Sequence, residues 1–175
     1  MSQPEWDLWA MPKDQEHGPR ADLLFEMHPL WLVERMHGRK YIEHLQRCGR
    51  VVMMPERYDE IPYSEEYPLR SVIDITSRDY FGSTIAYMLG LALLLRPQNI
   101  SLYGVDLGES IYDHQRPNLE YLIGMARGMG IRVFAAVGGA LFEHRSGSAL
   151  PDGAKFRYPV RYGYDPEVIH KDAAF

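Results

Sequence analysis

The stretch "YFGSTIAYMLGLALLL", residues 80–95, is apolar almost all the way round a helical wheel, and a second apolar run, "ISLYGV" (100–105), follows closely. A helix without a polar face has to be covered on every side, so this one belongs in the interior. Ser83 is a natural N-cap and Pro97 closes the far end. The unbroken run at 85–95 is about half the ~20 residues that cross a bilayer, which predicts a core helix rather than a membrane span. After the strand expected at 100–105, "RPNLEYLIGMARGMG" (116–130) predicts a helix with Pro117 in its first turn and a stop at Gly128 or Gly130. "IRVFAAV" (131–137) predicts another strand, ending at Gly138-Gly139. Helices alternating with short, fully apolar strands are the pattern of a parallel sheet with helices on both faces.

The earlier part of the chain extends this pattern. "EWDLWAM" (5–11) and "ADLLFEMH" (21–28) read as strands, and "VVMM" (51–54) as a third, ended by Pro55. "WLVERMHGRKYIEHLQRC" (31–48) has helical spacing, with Gly38 weakening its middle and Gly49 as its stop. Residues 55–79, with prolines at 55, 62 and 68, read as irregular. The segment 143–175 loses the rhythm and reads as an extended tail or arm, with a short hairpin around "KFRYPVRYGY". The expected organisation is therefore one α/β domain over 1–142, a parallel sheet flanked by helices, followed by that tail.

Composition narrows the class. The chain has 175 residues, 46% hydrophobic and 25% charged, as one soluble globular domain would. Its 19 Lys and Arg against 24 Asp and Glu leave a net charge of −5, so no global field draws it to nucleic acid or to a membrane. An anionic ligand would have to be held locally, by a helix N-terminus or a few arginines. The single cysteine, Cys48, supports neither a disulfide framework nor a Cys-based zinc motif and suits a reducing compartment. The opening "MSQPEWDLWAMP" is acidic and broken by prolines, unlike a signal peptide, so the expected location is cytoplasmic.

Ligands of open parallel sheets lie beyond the carboxyl ends of the strands. That rule selects four places: His28, the loop opening with Asp106, Gly138-Gly139, and Gly82-Ser83-Thr84 at the start of the core helix. Asp106, after Gly104-Val105, is suited to hold a ribose hydroxyl, to hold a metal through water, or to act as a base; the plain alternative is a turn cap. His114, Gln115 and Arg116 stand at a helix start that suits an anion, with His114 as proton donor to a leaving phosphate oxygen. The plain alternative there is an exposed loop in which Arg116 pairs with Glu120. Ser83 and Thr84 can receive a phosphate, though N-capping alone accounts for Ser83, and the lysine and spacing of a P-loop are missing. His28 closes a strand at the same edge and can join a site, the plain alternative being a structural histidine, while His37 and His44 fall on a charged helix face and read as solvated. No metal site has ligand spacing, although Asp106 and Asp113 can share a divalent ion if one accompanies a nucleotide. Arg157 and Arg161 among tail aromatics suit an exposed arm or a subunit contact better than base stacking.

Over residues 5–144 the chain resembles the Rossmann-like proteins grouped around motility accessory factor and archaeal hydroxymethylpterin pyrophosphokinase, which resemble bacterial sialyltransferases in fold. The resemblance rests on Gly82-Ser83-Thr84-Ile85-Ala86, on Gly104-Val105-Asp106, and on Gly138-Gly139. "YDHQRPNLEYLIG", "WDLWAMP" and "DLLFEMHP" are similar to short phage members. It implies a Rossmann-like sheet, a nucleotide or nucleotide-sugar ligand, and transfer of a glycosyl or diphosphate group in a phage or prophage setting. The binding positions it implies are Asp106 and the Ser83-Thr84 helix start, with His114 and Arg116 from the phage type. Family members carry a further strand and a glycine- and serine-containing nucleotide loop ahead of "EWDLWAMP"; both are expected to be missing here. The alternative is a non-catalytic nucleotide-binding or virion-associated protein that assembles through its tail.

Overall fold

The computed structural model describes residues 6–12, 21–105 and 115–135. Along the chain these form β1 (Trp9–Ala10), β2 (Leu23–Phe25), α1 (Leu30–His37), α2 (Arg39–Arg47), β3 (Val52–Met54) and β4 (Ser64–Glu66). They continue with α3 (Leu69–Thr76), α4 (Thr84–Leu95), β5 (Asn99–Leu102), α5 (Arg116–Gly128) and β6 (Arg132–Ala135). β1 to β4 make a parallel sheet in the order β1-β2-β3-β4, and β5 and β6 make a separate parallel pair. The fold is α/β, as the alternation predicts, with its six strands divided between two sheets among the described residues.

Strand alternation assigns each face its helices. Leu24, Val52 and Met54 point to one face and pack with Val33 of α1 and Ile42 and Leu45 of α2. Leu23, Phe25 and Met53 point to the other and pack with Val72 of α3 and Tyr87, Met88 and Leu91 of α4. The opposite side of α4, through Ala86, Leu89 and Leu93, packs with α5 and with Ile100, Leu102, Val133 and Ala135 of the β5–β6 pair. A helix clasped between two cores needs apolar residues all round, which is why this one has them.

Three expectations change. The helix expected at 31–48 is two helices, because Gly38 at φ 76°, ψ 174° occupies backbone space that essentially only glycine enters. The stretch expected to be irregular, 55–79, contains β4 and α3. β4 is an edge strand, and its Ser64 side chain is buried, accepting from Tyr58 N at 2.9 Å and donating to the Ile61 carbonyl at 2.8 Å. α3 closes on Ser77 in the left-handed region, and the Thr76 hydroxyl bonds the Val72 and Arg78 carbonyls. β4 carries two exposed glutamates, and α3 is only eight residues long, so its Leu69, Val72 and Ile73 spacing spans barely two turns between prolines and polar residues. The strands are also shorter than their apolar runs suggest. The expected tail, 143–175, lies outside the described residues.

Candidate functional site

The common direction of β1 to β4 defines one carboxyl edge, and β2 is internal to the sheet, so its carboxyl end lies between neighbours. Past Phe25 the chain stays hydrogen-bonded for one more residue, Glu26 N donating to the Met53 carbonyl at 2.9 Å. Alternation turns the Glu26 side chain to the α1–α2 face, where the residue is only 5% exposed. A carboxylate this buried needs partners on its oxygens. Oε1 lies 2.6 Å from His28 Nδ1 and Oε2 accepts from the Tyr41 hydroxyl at 2.7 Å. The His28 side chain is 41% exposed against 6% for Glu26. The pair therefore has a buried end and an open end, with the imidazole at the open one.

Pro29 follows as the N-cap of α1 without a side-chain capping bond. The Leu30 amide donates to the Tyr58 hydroxyl at 3.2 Å, which fastens the start of α1 to the loop after β3. Burial pushes the Tyr58 phenol above its ordinary pKa, a shift its bond from Leu30 partly offsets. Around Tyr41 stand two more imidazoles: His37, with ring centroids 4.8 Å apart, and His44, at 6.3 Å. The expectation of two solvated histidines holds for His37, which is exposed. His44 is half-buried, and its buried Nε2 has no hydrogen-bond partner among the described residues. It lies three residues after Tyr41 on α2, so the two rings share a helix face.

The second group of expected residues lies where α4 and α5 begin. Ser83 N-caps α4, accepting from the Ala86 amide at 3.3 Å, so the plain reading of this serine is the one observed; Thr84 is the first residue of the helix. Gln115 is the N-cap residue of α5 and makes no side-chain capping bond. Arg116 Nε bonds Glu120 Oε1 at 2.7 Å, the within-helix pair expected as its plain alternative. Gly104, just beyond β5, is exposed with φ 69°. What joins the two helix starts is Asn118, a fully buried residue of α5. Its Oδ1 accepts from Gly82 N at 3.0 Å and its Nδ2 donates to the Tyr80 carbonyl. Ser83, Thr84, Gln115 and Arg116 are thus gathered at one place. His28 belongs to the other sheet. Asp106, Asp113, His114, Gly138 and Gly139 lie outside the described residues.

Comparison with protein-family models, with curated proteins and with solved structures found no match.

Among the described residues no group of three or more His, Cys, Asp and Glu side chains could hold a metal ion, and no helix is long and apolar enough to cross a membrane. The arrangement at β2 suits proton transfer: a fixed imidazole, a buried counter-charge, and an open side for a ligand. The sequence marks His28 but not its partners. Glu26 had a signal, since "FEMH" places two polar residues two apart on one face of an otherwise apolar strand. Tyr41 and Asn118 had none, because their partners are 15 and 36 residues away.

Proposed function

We propose that the protein is a nucleotide- or nucleotide-sugar-dependent transferase that moves a glycosyl or diphosphate group at the carboxyl edge of its sheets. One observation carries this reading. A buried carboxylate holds a half-exposed histidine beyond an internal parallel strand, where ligands of α/β sheets bind. The resemblance adds Asp106 and the Ser83-Thr84 helix start as nucleotide contacts and a phage or prophage setting; a divalent cation, if one accompanies the nucleotide, would be shared by Asp106 and Asp113. His28 is the histidine that faces the ligand in this reading.

The test is a thermal-shift screen of nucleoside di- and triphosphates and nucleotide sugars, with and without magnesium, on the intact chain. Saturation at ~100 times Kd adds about 2.7 kcal/mol of stability, a shift of several degrees. The expected result is such a shift with at least one ligand, reduced in Asp106→Ala and His28→Ala. No stabilisation by any ligand overturns the proposal. A second reading, binding or assembly without catalysis, draws on the exposed aromatics Tyr103 (78%) and Phe134 (54%) on and beside the β5–β6 pair. Stabilisation by a nucleotide that is never turned over would favour it.

A further inference from the structure

We infer that Glu26, His28 and Tyr41 form a proton-transfer centre in which His28 Nε2 is the working atom and an acceptor hydroxyl is the substrate it deprotonates. The inference rests on the transferase reading for the identity of that substrate, and on geometry alone for the centre itself. It also moves the acid–base role from His114, where the helix-start pattern puts it, to His28.

Atom by atom, the Glu26 carboxylate can only accept, so the 2.6 Å contact to Nδ1 requires that nitrogen to carry the proton. A neutral imidazole then has its lone pair on Nε2. The His28 backbone amide also points at Oε1, at 3.3 Å, so the same oxygen anchors both main chain and ring. Oε2 is taken by the Tyr41 hydroxyl at 2.7 Å, which stops the carboxylate from rotating. Both oxygens engaged and the side chain 6% exposed, Glu26 does not reach a ligand; His28, 41% exposed, does. Glu26 and Tyr41 are positioning residues.

In the step, an acceptor O–H gives its proton to Nε2 while its oxygen bonds the electrophilic carbon or phosphorus of the donor. The bond from that centre to the leaving phosphate oxygen breaks, and its electron pair goes with the phosphate. The imidazolium is balanced by the buried Glu26 carboxylate until the proton passes to the leaving phosphate or to water. No electrons change hands, and the only co-reactant is the activated donor.

Two measurements on the intact chain test the centre without any substrate. The first is the two-bond ¹H–¹⁵N spectrum of the histidine rings above about pH 8, where imidazoles are neutral. His28 is expected as the Nδ1–H tautomer, with Nε2 unprotonated. Finding Nε2–H instead overturns the inference, because that nitrogen would then be a donor. The second is the acylation rate of His28 by diethyl pyrocarbonate, read on its own peptide by mass spectrometry. Glu26→Gln is expected to slow it at least about fivefold and Tyr41→Phe less, since both weaken the hold on Nδ1. Unchanged rates in both variants overturn the positioning roles. If Glu26→Gln loses its circular-dichroism signature of folding, Tyr41→Phe carries the comparison. Failure of the nucleotide screen leaves these spectra untouched, and failure here leaves the screen untouched, so each reading falls separately.

Discussion

Gly90 sits in the middle of the core helix, where glycine costs ~1 kcal/mol relative to alanine in intrinsic propensity. Its surroundings explain why it is there. A Cβ at this position would lie 2.8 Å from Val72 Cγ1, 2.9 Å from Phe81 Cε1 and 2.9 Å from the Tyr67 hydroxyl oxygen. Val72 of α3 and two residues of the connecting segments, Tyr67 and Phe81, close on one backbone, so a methyl group fits only if they shift. Gly90→Ala is therefore expected to lower stability by about 1–3 kcal/mol despite its better helix propensity. Urea unfolding checks this: the midpoint falls while the slope stays constant, and a rise in the midpoint would show that the site relaxes. Gly90 shows how much a single residue can conceal. In the sequence it looks like a defect in an otherwise ideal apolar helix, and only the approach of α3 and of residues 67 and 81 makes it necessary. The position of His28 at the carboxyl edge was legible because that edge follows from strand direction. Glu26 was marked only as a polar residue on the same strand face as His28; its burial was not legible, because Tyr41, which covers it, is 15 residues away on α2.

At the scale of elements, the parts read correctly were those whose periodicity is set by burial. α4, α5, β3 and β6 stand close to their apolar runs, and Ser83, Gly49 and Pro117 stand at helix ends as their chemistry predicts. β4 and α3 escaped because β4 is an edge strand with two exposed glutamates and α3 is a short helix after a proline. Asn118 makes a further point about elements: the loop before α4 is held by the helix that follows β5. It pairs the Gly82 amide and the Tyr80 carbonyl from a fully buried position, and the Tyr121 hydroxyl adds a bond to the Thr76 carbonyl at 2.9 Å. Gly82 and Tyr80 are exposed residues, so in Asn118→Ala water takes over their amide and carbonyl, and the loss is about 1 kcal/mol for each bond. Hydrogen exchange at Gly82 is expected to accelerate well beyond the fall in global stability, because the loop loses its anchor while α5 keeps its core. Exchange that follows global stability alone would show that the loop is held elsewhere.

The whole molecule depends on α4, which serves the four-stranded sheet with one side and the β5–β6 pair with the other. Tyr67, at the end of β4, is a joint in that arrangement. It is 2% exposed, its hydroxyl donates to the Tyr87 carbonyl of α4 at 2.9 Å, and its ring meets Tyr87 edge-on at 5.2 Å. Burial drives the Tyr67 phenol far above its ordinary pKa, with a smaller contribution from Tyr87; burial raises Tyr87 as well, helped by Asp79. The sign of the consequence follows from proton counting. Between the unfolded phenol value of about 10 and the higher native value, the folded chain keeps protons that the unfolded chain has lost. Stability is therefore full below about pH 10 and falls as pH rises through that window, by up to ~1.4 kcal/mol per pH unit for each such group. Tyr67→Phe removes one of the protons and the bond to Tyr87. It is expected to lower stability by about 1 kcal/mol near neutrality and to flatten the alkaline decline by close to one proton. Urea midpoints measured at about pH 8 and about pH 10.5 decide it, since the two proteins should converge as pH rises. Parallel declines would mean that Tyr67 is ionised in the folded state as readily as in the unfolded one, and that α4 is not sealed against the sheet.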